Sequence, residues 1–166
     1  ALIALNTAFS ANGLFLQIDK NNIIPMPLHV IYVNSGNANI VTNTRSFINV
    51  LANAQATLIE SFYNIGSAKV FSNFVSEKFV GENAKLTCHT FQNEGALSYS
   101  VNTNQVKINK YSNYSNTTMT LSGELVRNNH NVVLADSNCE AHLNGLFISS
   151  GTQQIDNHTL IDHQMP

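Results

Sequence analysis

The sequence predicts an all-β protein whose short strands stack in parallel as a β-helix, and three observations carry that expectation. The first is composition. The 166 residues include 25 asparagines, no tryptophan and only 11% charged residues, so the side chains that normally cover helix surfaces are scarce while turn formers abound. The second is rhythm, for apolar runs of about five residues are broken by polar turn clusters, and nowhere do apolar residues recur at helical spacing over three turns. The third is a repeated entry to a strand. Asn138-Cys139-Glu140-Ala141-His142-Leu143 echoes Asn83-Ala84-Lys85-Leu86-Thr87-Cys88, which echoes Asn53-Ala54-Gln55-Ala56-Thr57-Leu58 and, more faintly, Asn37-Ala38-Asn39-Ile40-Val41-Thr42. A hairpin sandwich needs regular two-residue turns, whereas one entry signal per unit at spacings of 16, 30 and 55 residues favours stacking in phase. Coils of about 20–28 residues would give about six to eight turns, roughly 30–40 Å in all, with asparagine amides donating to one neighbour and accepting from the next.

In chain order, residues 4–18 read as a strand, a turn at Ala11-Asn12-Gly13 and a second strand from Leu14 to Ile18. The apolar start, Ala1-Leu2-Ile3-Ala4-Leu5, reads as an interior strand, because it lacks the basic leader and cleavage site of a signal peptide. Asp19 to Asn22 is a turn, Pro25 and Pro27 confine residues 23–28 to an edge or connector, and His29 to Val33 is a strand closed by Asn34-Ser35-Gly36-Asn37. Residues 46–50 and 56–63 repeat the scheme. Gly66 and Gly81 bracket a longer strand, residues 70–80, whose alternation drifts and so implies a bulge near Glu77. Further strands fall at residues 86–91, 97–108 and 117–126, with residues 111–116 as a polar loop. The last are centred on Val132-Val133-Leu134, Leu146-Phe147-Ile148 and Leu160-Ile161, between turns at Asp136-Ser137-Asn138 and Ser149 to Thr152.

Length suits one domain, residues 1–166, able to bury a core without staples. Cys88 and Cys139 are too few for a disulfide framework and point to buried thiols in a reducing, cytoplasmic setting. A net charge of −2 argues against nucleic acid and anionic membranes as partners, and no apolar run reaches the length of a membrane span. The N-x-S/T triplets at Asn113, Asn116 and Asn157 are what this composition produces by chance.

Candidate chemistry is thin. Within Asp156-Asn157-His158-Thr159-Leu160-Ile161-Asp162-His163, the metal-ligand types are His158, Asp162 and His163 together with Asp156. In an extended strand Asp156, His158, Leu160 and Asp162 share one face and His163 takes the other, so the segment reads as a solvated strand face rather than a ligand set. Cys88 with His89, and Cys139 with His142, fall on opposite faces by the same parity, so both cysteines read as buried small apolar residues rather than nucleophiles. No nucleophile elbow, P-loop, dinucleotide fingerprint, C-x-x-C or H-E-x-x-H occurs. A β-helix carbohydrate-active enzyme or a surface adhesin is the alternative in function, the first needing a carboxylate cleft on one prism face and the second a signal peptide on the parent gene.

Glu140-Ala141-His142-Leu143-Asn144-Gly145-Leu146-Phe147, followed by residues 154–163, resembles the SufB/SufD family of iron–sulfur cluster assembly proteins, with the SufD branch nearer. Ala4-Leu5-Asn6-Thr7-Ala8-Phe9 with Gly13, Pro27-Leu28-His29-Val30 and Glu60-Ser61-Phe62 are similar to its earlier segments. The resemblance implies a right-handed parallel β-helix core of a non-catalytic scaffold subunit. It also implies a cytosolic SufBCD-type complex with a SufB-like paralogue and a SufC-like ATPase, a possible homodimer, and a transient iron–sulfur cluster on the full complex with no cofactor held by residues 1–166. The family's C-terminal coils and its helical segment, with the Cys and His implicated in cluster assembly, lie beyond these residues, so no catalytic or cofactor residue carries over. Residues 129–133 lack the core cysteine of the SufB branch, in keeping with a SufD-like subunit.

Overall fold

Four asparagines set the corners of the molecule. Asn21, Asn53, Asn83 and Asn138 have φ of 63°, 60°, 53° and 55°, the left-handed region that asparagine enters more readily than most residues. At each, the chain leaves a strand of one sheet and enters a strand of the facing sheet. The computed structural model describes residues 1–165. It has one helix, α1 (Leu2–Phe9), and the strands β1 (Asn12–Ile18), β2 (Leu28–Ser35), β3 (Ile40–Val50), β4 (Gln55–Ile65), β5 (Val70–Val80), β6 (Lys85–Asn93), β7 (Ser98–Ile108), β8 (Asn113–Ser122), β9 (Leu125–Leu134), β10 (Glu140–Phe147) and β11 (Gln154–His163). Odd strands form one sheet in the order β1-β3-β5-β7-β9-β11, even strands the other in the order β10-β8-β6-β4-β2. Every strand pairing within the two sheets is parallel. The fold is therefore a parallel β-solenoid of about 5 turns, as the repeated strand entries predict.

The coils are longer and fewer than expected. Ile18, Val50, Val80, Ile108 and Leu134 lie in one column, so successive turns take 50 − 18 = 32, 80 − 50 = 30, 108 − 80 = 28 and 134 − 108 = 26 residues. The cause is strand length, for β3, β4, β5 and β7 each run 11 residues. An apolar run marks only the half of each strand that enters the hydrophobic part of the interior; the polar half, which composition assigns to loops, is strand as well. Residues 40–45 and 113–116 are strand for this reason. Residues 117–126 are two strands, interrupted at Gly123, whose φ of 147° lets the chain cross between sheets.

The asparagine ladder forms over three corners, Asn21, Asn53 and Asn83. Asn83 Nδ2 donates to Asn53 Oδ1 at 2.9 Å and Asn53 Nδ2 donates to Asn21 Oδ1 at 2.9 Å. Asn37 is not among the positive-φ corner residues; Asn21 holds the first corner, and Tyr111 (φ 57°) holds the place between Asn83 and Asn138. The expected bulge near Glu77 is absent from the β5 ladders, which run unbroken, and among the described residues the one shift falls at Gln92/Asn93. The drift in β5 has another origin: Lys78 points inward with Phe74 and Val80, while Asn73 and Val75 on the outer face are covered.

What covers them is α1, which replaces the predicted first strand. Two helical turns are too short to show a period, but Ala4, Leu5 and Ala8 are strong helix formers. Asn6, fully buried, pins the helix across the outer face of the odd sheet: its Nδ2 donates to the carbonyls of Thr44 at 2.9 Å and Asn73 at 2.8 Å, and Asn73 Nδ2 donates back to the Leu2 carbonyl at 2.9 Å. Asn12-Gly13 is accordingly no turn but the start of β1. Gly13 is needed there because a Cβ would collide with the Arg45 carbonyl.

Candidate functional site: the polar half of the interior

Inward-facing residues of the two sheets sort into two zones. Next to the asparagine corners, Ile18, Ile48, Val50, Val80, Val106, Ile108, Val132 and Leu134 of the odd sheet meet Ala56, Leu58, Leu86, Cys88 and Tyr114 of the even sheet in a continuous apolar core. Further from the corners the facing columns turn polar. Ser46, Ser76, Asn104 and His130 stack in register, as do Asn102, Asn128 and Asn157. Across from them stand Glu60, Thr90 and Thr118, and Gln92 with Thr120. Alternation alone puts these side chains inside, and stacking in parallel lets each find a partner one coil away.

The centre of this zone is an ion pair. Lys78 Nζ lies 3.2 Å from Glu60 Oε2 with side-chain exposures of 1% and 2%. The ammonium also donates to Ser76 Oγ at 2.7 Å and Asn104 Oδ1 at 2.9 Å, so all three of its protons have acceptors, the condition under which a buried charge is tolerated. Towards β1 the zone is closed by three rings: Tyr32 stacks on Phe62 at 4.8 Å between centroids, and Phe74 meets both edge-on at 5.0 Å. Burial, and then the nearby Glu60 charge, raise the Tyr32 phenol above its ordinary range. Towards β11 the zone continues as an amide network. Gln92 Nε2 donates to Asn128 Oδ1 at 2.8 Å, and Asn128 Nδ2 donates to Asn157 Oδ1 at 2.9 Å.

His130 sits in the same zone, 8% exposed, with Thr118 Oγ1 3.5 Å from its Nε2. Burial, assisted by the Lys78 charge, lowers its pKa from 6.5 to about 4, so the imidazole is neutral at pH 7. Glu94, 3% exposed, receives a hydrogen bond from Ser100 Oγ at 2.7 Å, and burial raises its pKa above the ordinary carboxylate value. The zone thus holds donors, acceptors, one ion pair and one neutral imidazole away from bulk water.

The sequence-derived candidates lie elsewhere. His158 and Asp162 are exposed on the outer face of β11 and His163 is on the inner one, as parity requires. Four residues of strand set His158 and Asp162 about 13 Å apart along the backbone, and among the described residues no three His, Cys, Asp or Glu side chains converge as a metal site would need. Asp156 is committed to Arg127 at 2.6 Å. Cys88 is fully buried, and burial pushes its thiol up to about 12, which removes it as a nucleophile at neutral pH. Cys139 Sγ lies 3.0 Å from the Asp136 carbonyl and 3.1 Å from that of Asn109. His142, on the opposite face, is exposed beside Glu140.

The class of protein these observations define is a parallel β-solenoid with a segregated, hydrogen-bonded polar interior. Residues 32–166 match the SufBD core domain of the SUF system of iron–sulfur cluster assembly, and the chain belongs to that family. An iron–sulfur cluster assembly SufBD family protein of Synechocystis sp. is 27% identical over 166 residues, covering 95% of this chain and 37% of that protein. The chain therefore spans little more than a third of the length of that relative.

Proposed function

We propose that the chain is the core of a SufD-like scaffold subunit that performs no catalysis of its own and works in the cytoplasm within a SufBCD-type complex. The observation that carries this reading is the match of residues 32–166 to the SufBD core. The structure supports it in a specific way. Glu60, Lys78, Gln92 and Asn128 are each at most 1% exposed and pair off across the two sheets as Glu60 with Lys78 and Gln92 with Asn128, so they hold the sheets at a set spacing instead of meeting a substrate. The partners in this reading are a SufB-like paralogue and a SufC-like ATPase, and the iron–sulfur cluster is cargo of the complex. Affinity purification of the tagged full-length protein from its own host tests the proposal: recovery of both partners in stable proportion is expected, and a preparation free of both overturns it.

A further inference from the structure

Asn102 carries a buried polar atom that the protein leaves unsatisfied. Its side chain is 3% exposed, its Nδ2 donates to Asn128 Oδ1 at 3.1 Å, and its Oδ1 has no hydrogen-bond partner among the described residues. Turning the amide over would set oxygen against oxygen, because Asn128 Oδ1 is already the acceptor of Gln92 Nε2 at 2.8 Å. Asn128 is itself held by its own donations to Asn157 Oδ1 at 2.9 Å and Gln92 Oε1 at 3.1 Å. The amide ladder thus dictates which end of Asn102 is left over.

Asn102 lines a small interior cavity of about 10 Å³ whose wall also includes Glu60, Thr90, Gln92, Thr118 and His130. That volume matches about one water molecule and nothing larger. Of the polar groups on that wall, Asn104 already accepts from the Lys78 ammonium at 2.9 Å. We propose that this cavity is a binding site for a single water molecule, which donates to Asn102 Oδ1 and takes its remaining hydrogen bonds from the Thr90, Thr118 and His130 side of the wall. The water joins two networks the protein leaves separate: the Asn102–Asn128–Gln92–Asn157 amides, and the Lys78–Glu60 pair with the His130 column.

Crystals of the full-length protein at a resolution that shows ordered solvent test the site. The expected result is one solvent peak within about 3.2 Å of Asn102 Oδ1 and of at least one other wall group, with a water cross-peak to the Asn102 side-chain amide in solution. A dry cavity, or Asn102 Oδ1 bonded directly to protein, overturns the proposal. Asn102→Leu removes the acceptor at similar volume and is expected to lose the peak; a peak retained at the same place would show that Asn102 does not hold the water and would equally overturn it. Should that variant fail to fold, the maps of the unaltered protein decide alone.

Discussion

Lys78 and Glu60 show how one inward position can dominate a stretch of interior. Lys78 occupies a column otherwise filled by Ile48, Val106 and Val132, and it is tolerated because Glu60, Ser76 and Asn104 surround its ammonium. Lys78→Met strands the Glu60 carboxylate and is expected to cost about 3–5 kcal/mol, whereas Lys78→Met with Glu60→Leu removes both charges and should recover most of that loss; urea denaturation of the three proteins measures both. His130 gives a second prediction. Its folded pKa of about 4 lies below the unfolded value of about 6.5, so the unfolded chain binds the extra proton. The stability His130 contributes is present above about pH 6.5 and is lost as pH falls towards 4, roughly 3 kcal/mol in all. Glu94, whose pKa is raised, acts in the opposite sense in the acid range, since its burial favours the protonated form. Stability measured from pH 7 to pH 4 should fall, and His130→Gln should flatten that slope; an unchanged slope in the variant would refute the assignment.

At the scale of elements, the corner ladder was legible in the sequence because one residue type recurs at one structural position. Asn53, Asn83 and Asn138 announce themselves through the strands that follow them, and three of the four echoes mark true corners. Asn21 escaped because Pro25 and Pro27 interrupt the strand pattern after it, and Tyr111 because its side chain has no asparagine-like signature. The ladder also separates two costs. Asn53→Gly keeps the left-handed backbone and loses the hydrogen bonds to Asn21 and Asn83, so it should cost about 1–2 kcal/mol. Asn53→Ala loses the same bonds and must also hold φ at 60°, which should add about 1 kcal/mol; equal thermal stability of the two variants would show that backbone strain contributes nothing at the corner. Helix α1 was not legible for a physical reason: its fold depends on Asn6 reaching Thr44 and Asn73, contacts 38 and 67 residues away that no local pattern encodes. The Lys78–Glu60 pair was half legible, since parity puts Lys78 beside Val80, but a lysine in that position reads as a break in the strand until its partner is seen.

Over the whole molecule, each strand pairs only with the strands next to it in its sheet, so stability is close to a sum of coil terms and interfaces, with Asn6 to Asn73 a tie that skips one coil. That makes position along the stack matter more than residue type. Among the described residues β5, β6 and β7 are paired on both sides, so a change in one of them is felt first in its two neighbours. Amide hydrogen exchange resolves that spread strand by strand. Leu86→Ala, in the middle of the apolar column and 1% exposed, should cost about 2–5 kcal/mol and lower protection in coils on both sides of it. Leu143→Ala, in β10 and packed on the same core, should speed exchange in β10 and its partner β8 while leaving β2 and β4 as they were. If the Leu143 variant weakened every strand equally, the stack would be one cooperative block and the nearest-neighbour account would fail.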